Sequence, residues 1–396
     1  MINLVFYFQV HQPFRLNPFS VLDIGNGKNY FDEELNKEIM KKVAKKCYLP
    51  TNKLILDLIE KYEGNFKVSY SITGVVIEQF KKYVPEVLKS FKELAKTNCV
   101  EFIGETYYHS LSYLYDRDEF QIQIEMHKKM IEKEFGFNPV TFRNTELIYQ
   151  DNIADFAKEE GYKVILAEGA ERVLGWRSPL FAYKDYRRNL YLLLKYYRLS
   201  DDIAFRFSDR NWPEYPLTVN KFLHWVDRLD FNNKEGYNLF LNLFMDYETF
   251  GEHQWEDTGI FQFLKHLPVG VESYPNMRFA WPSDVVNYCN YDPETLFVKE
   301  PVSWADMERD LSAWMENSMQ LNALNTYHEL LRKIKDNDRK DLLELARKLS
   351  TSDHFYYMST KYFQDGDVHK YFSPYNSPEQ SYIYYINVMA DLEERI

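Results

Sequence analysis

Cysteine is scarce in this chain. Three residues, Cys47, Cys99 and Cys289, are scattered through 396 positions with no metal-type spacing. An odd, unpatterned set indicates no disulfide framework and no short-spaced thiolate metal site. Long apolar runs are missing too, and none approaches the ~20 residues that a membrane-spanning helix needs. The N-terminus lacks a basic segment and a small-residue cleavage site. Ile2 to Phe8 reads at once as a strand, so no signal peptide is expected. No Gly-x-Gly-x-x-Gly motif follows that strand and no Walker loop occurs, which disfavours nucleotide binding. Ser110 stands in His-Ser-Leu rather than in a Gly-x-Ser-x-Gly elbow. Positive charge is also short: 48 Lys and Arg face 60 Asp and Glu, for a net charge of −12 without a basic stripe. That balance argues against nucleic acid or anionic membrane as the main partner. These absences predict a cytoplasmic protein with neither a membrane nor a nucleic-acid partner.

Aromatic residues are what the chain has in excess. They make up 17% of it, with 32 Tyr and 29 Phe, in a composition that is otherwise ordinary at 45% hydrophobic and 27% charged. Aromatic rings fill cores, and they also line ligand clefts, where a flat ring suits the apolar C–H face of a sugar.

From residue 1 to about 270, short apolar runs alternate with amphipathic stretches. Strands are expected at 2–10, 66–72, 100–104, 140–143, 163–167, 190–197, 202–207 and 239–245. Helices are expected at about 52–63, 75–96, 118–135, 151–160 and 217–229, with Asp118 and Asp151 as N-caps. This alternation argues for a parallel α/β fold, and seven or eight units allow a closed barrel. After about residue 270 the apolar spacing becomes helical, as in Leu311, Trp314, Met315 and Met319 or Leu342, Leu345, Ala346 and Leu349. The expected division is a barrel over 1–270 and a helical bundle over 271–396 that packs on it.

The strands end in chemistry. Residues 239–245 pour into Asp246-Tyr247-Glu248-Thr249-Phe250-Gly251-Glu252-His253. Strand 2–10 runs into His11-Gln12-Pro13, strand 100–104 into Glu105 and His109, and strand 140–143 into Asn144-Thr145-Glu146. In parallel α/β folds sites form at the C-terminal ends of strands. Glu146 and Asp246 therefore present two carboxylates to one cleft, the layout that glycoside hydrolysis requires. Each taken alone could be a surface acid or a helix cap, and His11 alone could be a core histidine. Glu101 and Glu105, four apart on one strand run, share a face. Metal chemistry is the main competitor, but the nine histidines form no His-x-x-His or His-x-x-x-His pair.

Five short regions in order resemble glycoside hydrolase family 57, whose members act on α-glucans with retention. They are His11-Gln12-Pro13, Val100-Glu101-Phe102-Ile103-Gly104, Arg143-Asn144-Thr145-Glu146-Leu147, Met245 to Gly251, and the helical stretch from Trp304 to Tyr357. The resemblance implies a (β/α)7 barrel followed by a helical bundle, with Glu146 as nucleophile and Asp246 as general acid/base. It also implies that His11, Glu101, Glu248 and Asp353 line the subsite beside them. His253, Trp314 and His354, from the same regions, are expected to bind substrate. No metal and no cofactor are expected, and the partner is an α-glucan or maltooligosaccharide. Within the family the Asp-Tyr-Glu-Thr-Phe-Gly-Glu-His run is closest to the α-amylase group, since glucanotransferase relatives tend to carry Trp where His253 stands. Glucan transfer, a catalytically silent glucan-binding protein and a metal-dependent deacetylase remain as alternatives.

Overall fold

The computed structural model describes residues 1–230 and 235–396. Its strands are β1 (Ile2–Val10), β2 (Val68–Ile72), β3 (Val100–Phe102), β4 (Thr141–Arg143), β5 (Val164–Glu168), β6 (Tyr183–Lys184), β7 (Tyr191–Lys195), β8 (Leu239–Asp246) and β9 (Met277–Phe279). Seven of them run parallel in the order β3-β2-β1-β8-β7-β5-β4. Gly104, just past β3, bridges Phe142 of β4 and closes the ring. β8 pairs with β1 along its length, from Ile2↔Leu239 to Gln9↔Asp246. The other edge of β1 is shared: β9 takes its start and β2 its end. β6 adds an antiparallel strand outside β7.

The two-residue strand period decides what faces the barrel interior. Val5 and Tyr7 of β1, Val164 and Leu166 of β5, Leu193 of β7, and Phe240 and Phe244 of β8 form one buried inner cluster. The alternate residues, such as Leu4, Phe6 and Phe8 on β1 or Leu241 and Leu243 on β8, pack outward under the helices. Strands buried on both faces read as continuous apolar runs, which is why the barrel was visible in the sequence. On the far side, Phe142, Ile165 and Leu192 share a core with Tyr327, Leu331, Leu349 and Tyr385 of the C-terminal helices. Each such side chain contributes about 1.5–3 kcal/mol through burial.

The C-terminal region is helical, chiefly Ser318–Asp336, Lys340–Leu349 and Pro378–Glu394. Asn317 and Gln320 cap the first of these reciprocally. An ionic contact ties the region to the barrel. Buried Glu119, on the helix Arg117–Phe135, accepts from Arg347 at 2.7 and 3.1 Å and lies 3.1 Å from Lys335. Backbone bonds add to it: Ser352 N–H donates to the His109 carbonyl at 2.9 Å, and Thr351 Oγ1 donates to that of Tyr108 at 3.0 Å.

Three local expectations are corrected. Residues 202–207 are not a strand, because the helix Tyr197–Ala204 follows β7 directly and buries Leu199, Ile203 and Ala204 along one side. Asp118 is not the N-cap of its helix; Asp116 is, accepting from the Glu119 amide at 3.0 Å. Nor is Asp151 a cap. The N-cap position is Asn152, and Asp151 instead accepts from the Val298 amide at 2.8 Å. Among the described residues no helix is long and apolar enough to cross a membrane.

Barrel closure leaves no room at Gly104, where a Cβ would lie 2.3 Å from the Tyr162 hydroxyl. Gly104→Ala is expected to destabilise the fold by about 1–3 kcal/mol through overpacking. Urea unfolding monitored by circular dichroism measures this, and a variant as stable as the parent would contradict the tight closure.

Candidate active site

The inward alternation of the strands continues to their C-terminal ends, where it delivers charge in place of hydrocarbon. Gln9 and Ser71 lie one residue before the ends of β1 and β2, and Glu105 follows β3. Arg143 ends β4, Glu168 β5, Lys195 β7 and Asp246 β8. Asp246 shares its face with Phe240, Asn242 and Phe244, so the run that builds the wall also aims the carboxylate.

Glu146 reaches this ring through backbone strain. After β4, residues Thr145–Leu147 form a tight turn in which Glu146 has φ 59° and ψ 25° and Leu147 has φ 53°. Side chains with a Cβ adopt this left-handed region at a cost of roughly 1–3 kcal/mol, and such residues gather at functional sites. The turn is held by Asn144, which accepts from the Thr145 amide at 2.9 Å, and by a 2.7 Å bond between the Thr106 and Thr145 hydroxyls. Asn144 caps the turn, so Glu146 is free of that duty.

Around the Glu146 carboxylate three donors converge. Trp304 Nε1 donates at 2.7 Å, Ser352 Oγ at 2.9 Å and His109 Nε2 at 3.3 Å. His109, itself at φ 51°, uses its other nitrogen on Glu105 at 2.9 Å. Glu105 also accepts from Gln9 at 3.0 Å and from Ser71, and Arg143 stands 3.7 Å away. Arg143 is fully buried and lies over the Trp304 ring at 4.8 Å.

This network sets the protonation states. Burial opposes a charge on His109, but its bonds to Glu105 and Glu146 raise it to about 9. Burial also works against ionised Glu105, yet His109 and Arg143 hold it down at about 2. The same contest at Glu146 ends below the ordinary carboxylate value, because the His109 bond and the charges of His109 and Arg143 outweigh burial. Asp246 goes the other way. Burial, then the Glu146 charge, push it up to about 6. One carboxylate is thus held ionised beside another that holds its proton up to about pH 6, the arrangement that suits a nucleophile or base paired with an acid.

His11 is stacked on His109, with ring centroids 4.1 Å apart. Its Nδ1 bonds Thr73 and its Nε2 bonds Asp353, each at 2.9 Å. Burial and the neighbouring His109 charge lower its pKa, whereas Asp353 is held well below the usual range despite burial, chiefly by His11. Two residues 342 positions apart therefore meet beside Glu146. Glu248 hangs from the turn after β8, bonded by Tyr48 and by Gln12 at 3.2 Å. Burial and then Asp246 push it up to about 8.

Four expected residues stand elsewhere. Glu101 lies near the start of β3, roughly 13 Å along the strand from Glu105 at about 3.3 Å per residue. Its carboxylate is spent on Thr141 at 2.5 Å and Ser283 at 2.8 Å, so it belongs to the barrel floor and not to a subsite. Trp314 is 1% exposed and packs on Tyr356 inside the helical core. His354, beside Asp353 but turned the other way, is buried against Tyr385 with its pKa pushed down to about 4 by burial. Both are core residues. His253 lies under the helix Phe363–Phe372, edge-on to Phe372 at 5.4 Å.

Other groups of the mouth carried no assigned role in the sequence. Glu105 follows its strand, and position relative to the strand end separates it from Glu101. Glu168 and Lys195 also end strands, so the same rule would have found them. Neither Glu168 oxygen has a hydrogen-bond partner among the described side chains, and Arg309 Nε lies 3.7 Å away. Lys195 bonds Asp201 at 3.1 Å. Trp304 carried no such signal. Among the described residues no group of three His, Cys, Asp or Glu is arranged to hold a metal.

The family model for glycosyl hydrolase family 57 matches residues 5–300. A protein of Methanocaldococcus jannaschii with a provisional alpha-amylase name is 45% identical over 98% of this chain and 84% of its own length. Among solved structures, the branching enzyme of Pyrococcus horikoshii superposes with a TM-score of 0.70 at 17% identity, covering 93% of this chain and 87% of that one. The 4-alpha-glucanotransferase of Thermococcus litoralis superposes at 0.65 with 15% identity, covering 89% of this chain and 56% of that one. At such identities the superpositions speak to the fold.

The Glu105–His109 pair sets a testable pH signature. His109 rises from 6.5 to about 9 on folding, so its stabilisation is complete below 6.5 and lost as pH rises through about 9. Glu105 falls from 4.5 to about 2, so its share is present above 4.5 and lost as pH falls through about 2. Glu105→Gln should return the His109 midpoint toward 6.5 in an NMR titration. It should cost roughly 3–5 kcal/mol at neutral pH, as breaking a buried pair does. An unmoved His109 midpoint would show that the pair does not set its charge.

Proposed function

The chain belongs to glycosyl hydrolase family 57, and from that premise we propose that it cleaves α-1,4-glucans with retention, as an α-amylase-like enzyme. Glu146 is the nucleophile in this reading and Asp246 the general acid/base. The observation that carries it is the opposite displacement of the two carboxylates: Glu146 is held ionised and Asp246 is raised to about 6.

Glu146 attacks the anomeric carbon while protonated Asp246 gives its proton to the departing glycosidic oxygen, leaving a glycosyl ester on Glu146. Asp246, now a carboxylate, takes a proton from water, which attacks the same carbon, frees Glu146 and restores the acid. Trp304, Ser352 and His109 hold the nucleophile's oxygens in place. His11 and Asp353 bind hydroxyls of the reacting sugar, and Glu248 supports that subsite. Residues 1–270 act as the catalytic barrel, and residues 271–396 complete its site through Trp304, Ser352 and Asp353. Hydrolysis rather than transfer is favoured by the amylase name of the relative that matches nearly the whole chain.

Glu146→Gln should lower kcat by roughly 10⁴-fold or more, as loss of a nucleophile does, with folding and glucan binding largely kept. Defined maltooligosaccharides serve as substrate. NMR of the first-formed product should show the α-anomer, and a β-anomer would overturn retention. Products longer than the substrate would mean transfer in place of hydrolysis.

The acid role of Asp246 has its own signature. The rate should fall as pH rises through about 6, because the raised pKa marks loss of the acid. Asp246→Ala should flatten that limb and spare substrates with good leaving groups, such as glucosyl fluorides. Equal losses on good and poor leaving groups would defeat the assignment.

A further inference from the structure

The loop that follows Asp246 has a second face. Beyond Glu248 the chain turns through Gly251, at φ 112°, where a Cβ would lie 2.0 Å from the Lys46 carbonyl. Only glycine lets this loop seat so closely on the π-helical turn Ala44–Tyr48. π turns are rare and often mark functional sites. This one faces two ways. Cys47 donates to the Tyr247 carbonyl at 3.2 Å and Tyr48 donates to Glu248, both on the side of the proposed catalytic pair. Lys46 points outward, with its ammonium 4.7 Å over the ring of Trp255 and 3.7 Å from Glu252.

Trp255 is 57% exposed. It forms one wall of a surface depression of about 670 Å³ whose apolar lining is Pro50, Leu54 and Phe261. That volume is in the range of ligand sites. Around the apolar lining stand Lys45 and Lys265, countered by Glu256 and Asp257. Charges of both signs select neither an anion nor a cation, but they offer donors and acceptors to a neutral polyol. A flat ring, an apolar floor and mixed polar groups fit a pyranose, which has an apolar C–H face and an equatorial belt of hydroxyls.

We infer that the Trp255 depression is a second, non-catalytic α-glucan site, which holds a distant stretch of the polymer being cut between Glu146 and Asp246. The inference rests on the α-glucan reading above. Its benefit is one of effective concentration: a chain held at one surface presents its other segments to the mouth nearby. Only substrates long enough to span both places gain from it.

The test compares a maltotriose aryl glycoside with glycogen, using the wild-type chain, Trp255→Ala and Trp255→Phe. Trp255→Ala should lower kcat/KM on glycogen by about tenfold and leave the short glycoside unchanged. Trp255→Phe, which keeps an aromatic face, should recover most of the loss. Circular dichroism and melting temperature establish that each variant is folded. Equal loss on both substrates, or an unchanged rate on glycogen, would overturn the second site and leave the catalytic reading standing. A wild-type chain that turns over neither substrate would overturn the catalytic reading and this inference with it. Unchanged rates together with weakened binding of an apolar peptide would assign the depression to a protein partner instead.

Discussion

The line of buried charge from Glu105 through His109 to Glu146 is what the rest of the site depends on. A carboxylate as buried as Glu105 is costly unless it is paired and fully hydrogen-bonded. Gln9, Ser71, His109 and Arg143 meet that requirement, each from a different strand end or the loop after it. His109 then has one nitrogen left, and it faces Glu146. The charge of Glu146 is therefore held mainly by His109, whose own charge Glu105 supports. At Asp246 burial and the Glu146 charge outweigh the opposing charges of Arg143, His109 and Lys195, so it holds its proton up to about pH 6.

The barrel makes such a line possible because its strands obey one alternation. Tyr7 and Gln9, or Phe244 and Asp246, are successive inward positions of a single strand, hydrocarbon below and polar group above. The lower layers exclude water, and the top layer inherits their low polarity. Burial is accordingly the first cause of the raised values at Asp246 and Glu248. The left-handed backbone at His109 and Glu146 is the local cost of turning both side chains into this layer.

The helical region works as a lid fixed in place. Glu119, Arg347 and Lys335 pin it from outside, while Thr351 and Ser352 join the backbone of the loop after β3. Ser352 reaches Glu146 and Asp353 reaches His11 because that short segment is held by the same loop that carries His109.

Amino-acid order alone determined the strand-and-helix alternation, the parallel barrel and the carboxylates at its mouth, since burial on both faces and strand-end chemistry are local patterns. Strand-end position singled out Glu146, Asp246 and His11, and the family resemblance added Glu248 and Asp353. Depth was beyond the amino-acid order. Glu101 and Glu105 share a strand and a face, and only the register of β3 against its neighbours puts one at the floor and the other at the mouth. Trp314 and Trp304 read alike in the chain, yet packing buries the first in the bundle and sets the indole of the second on Glu146. His11 and His109 are 98 residues apart, and nothing in their local sequence announces that the rings stack. Periodicity is a property of neighbours along the chain, whereas protonation and contact are set by neighbours in space, so those were left to the tertiary structure to decide.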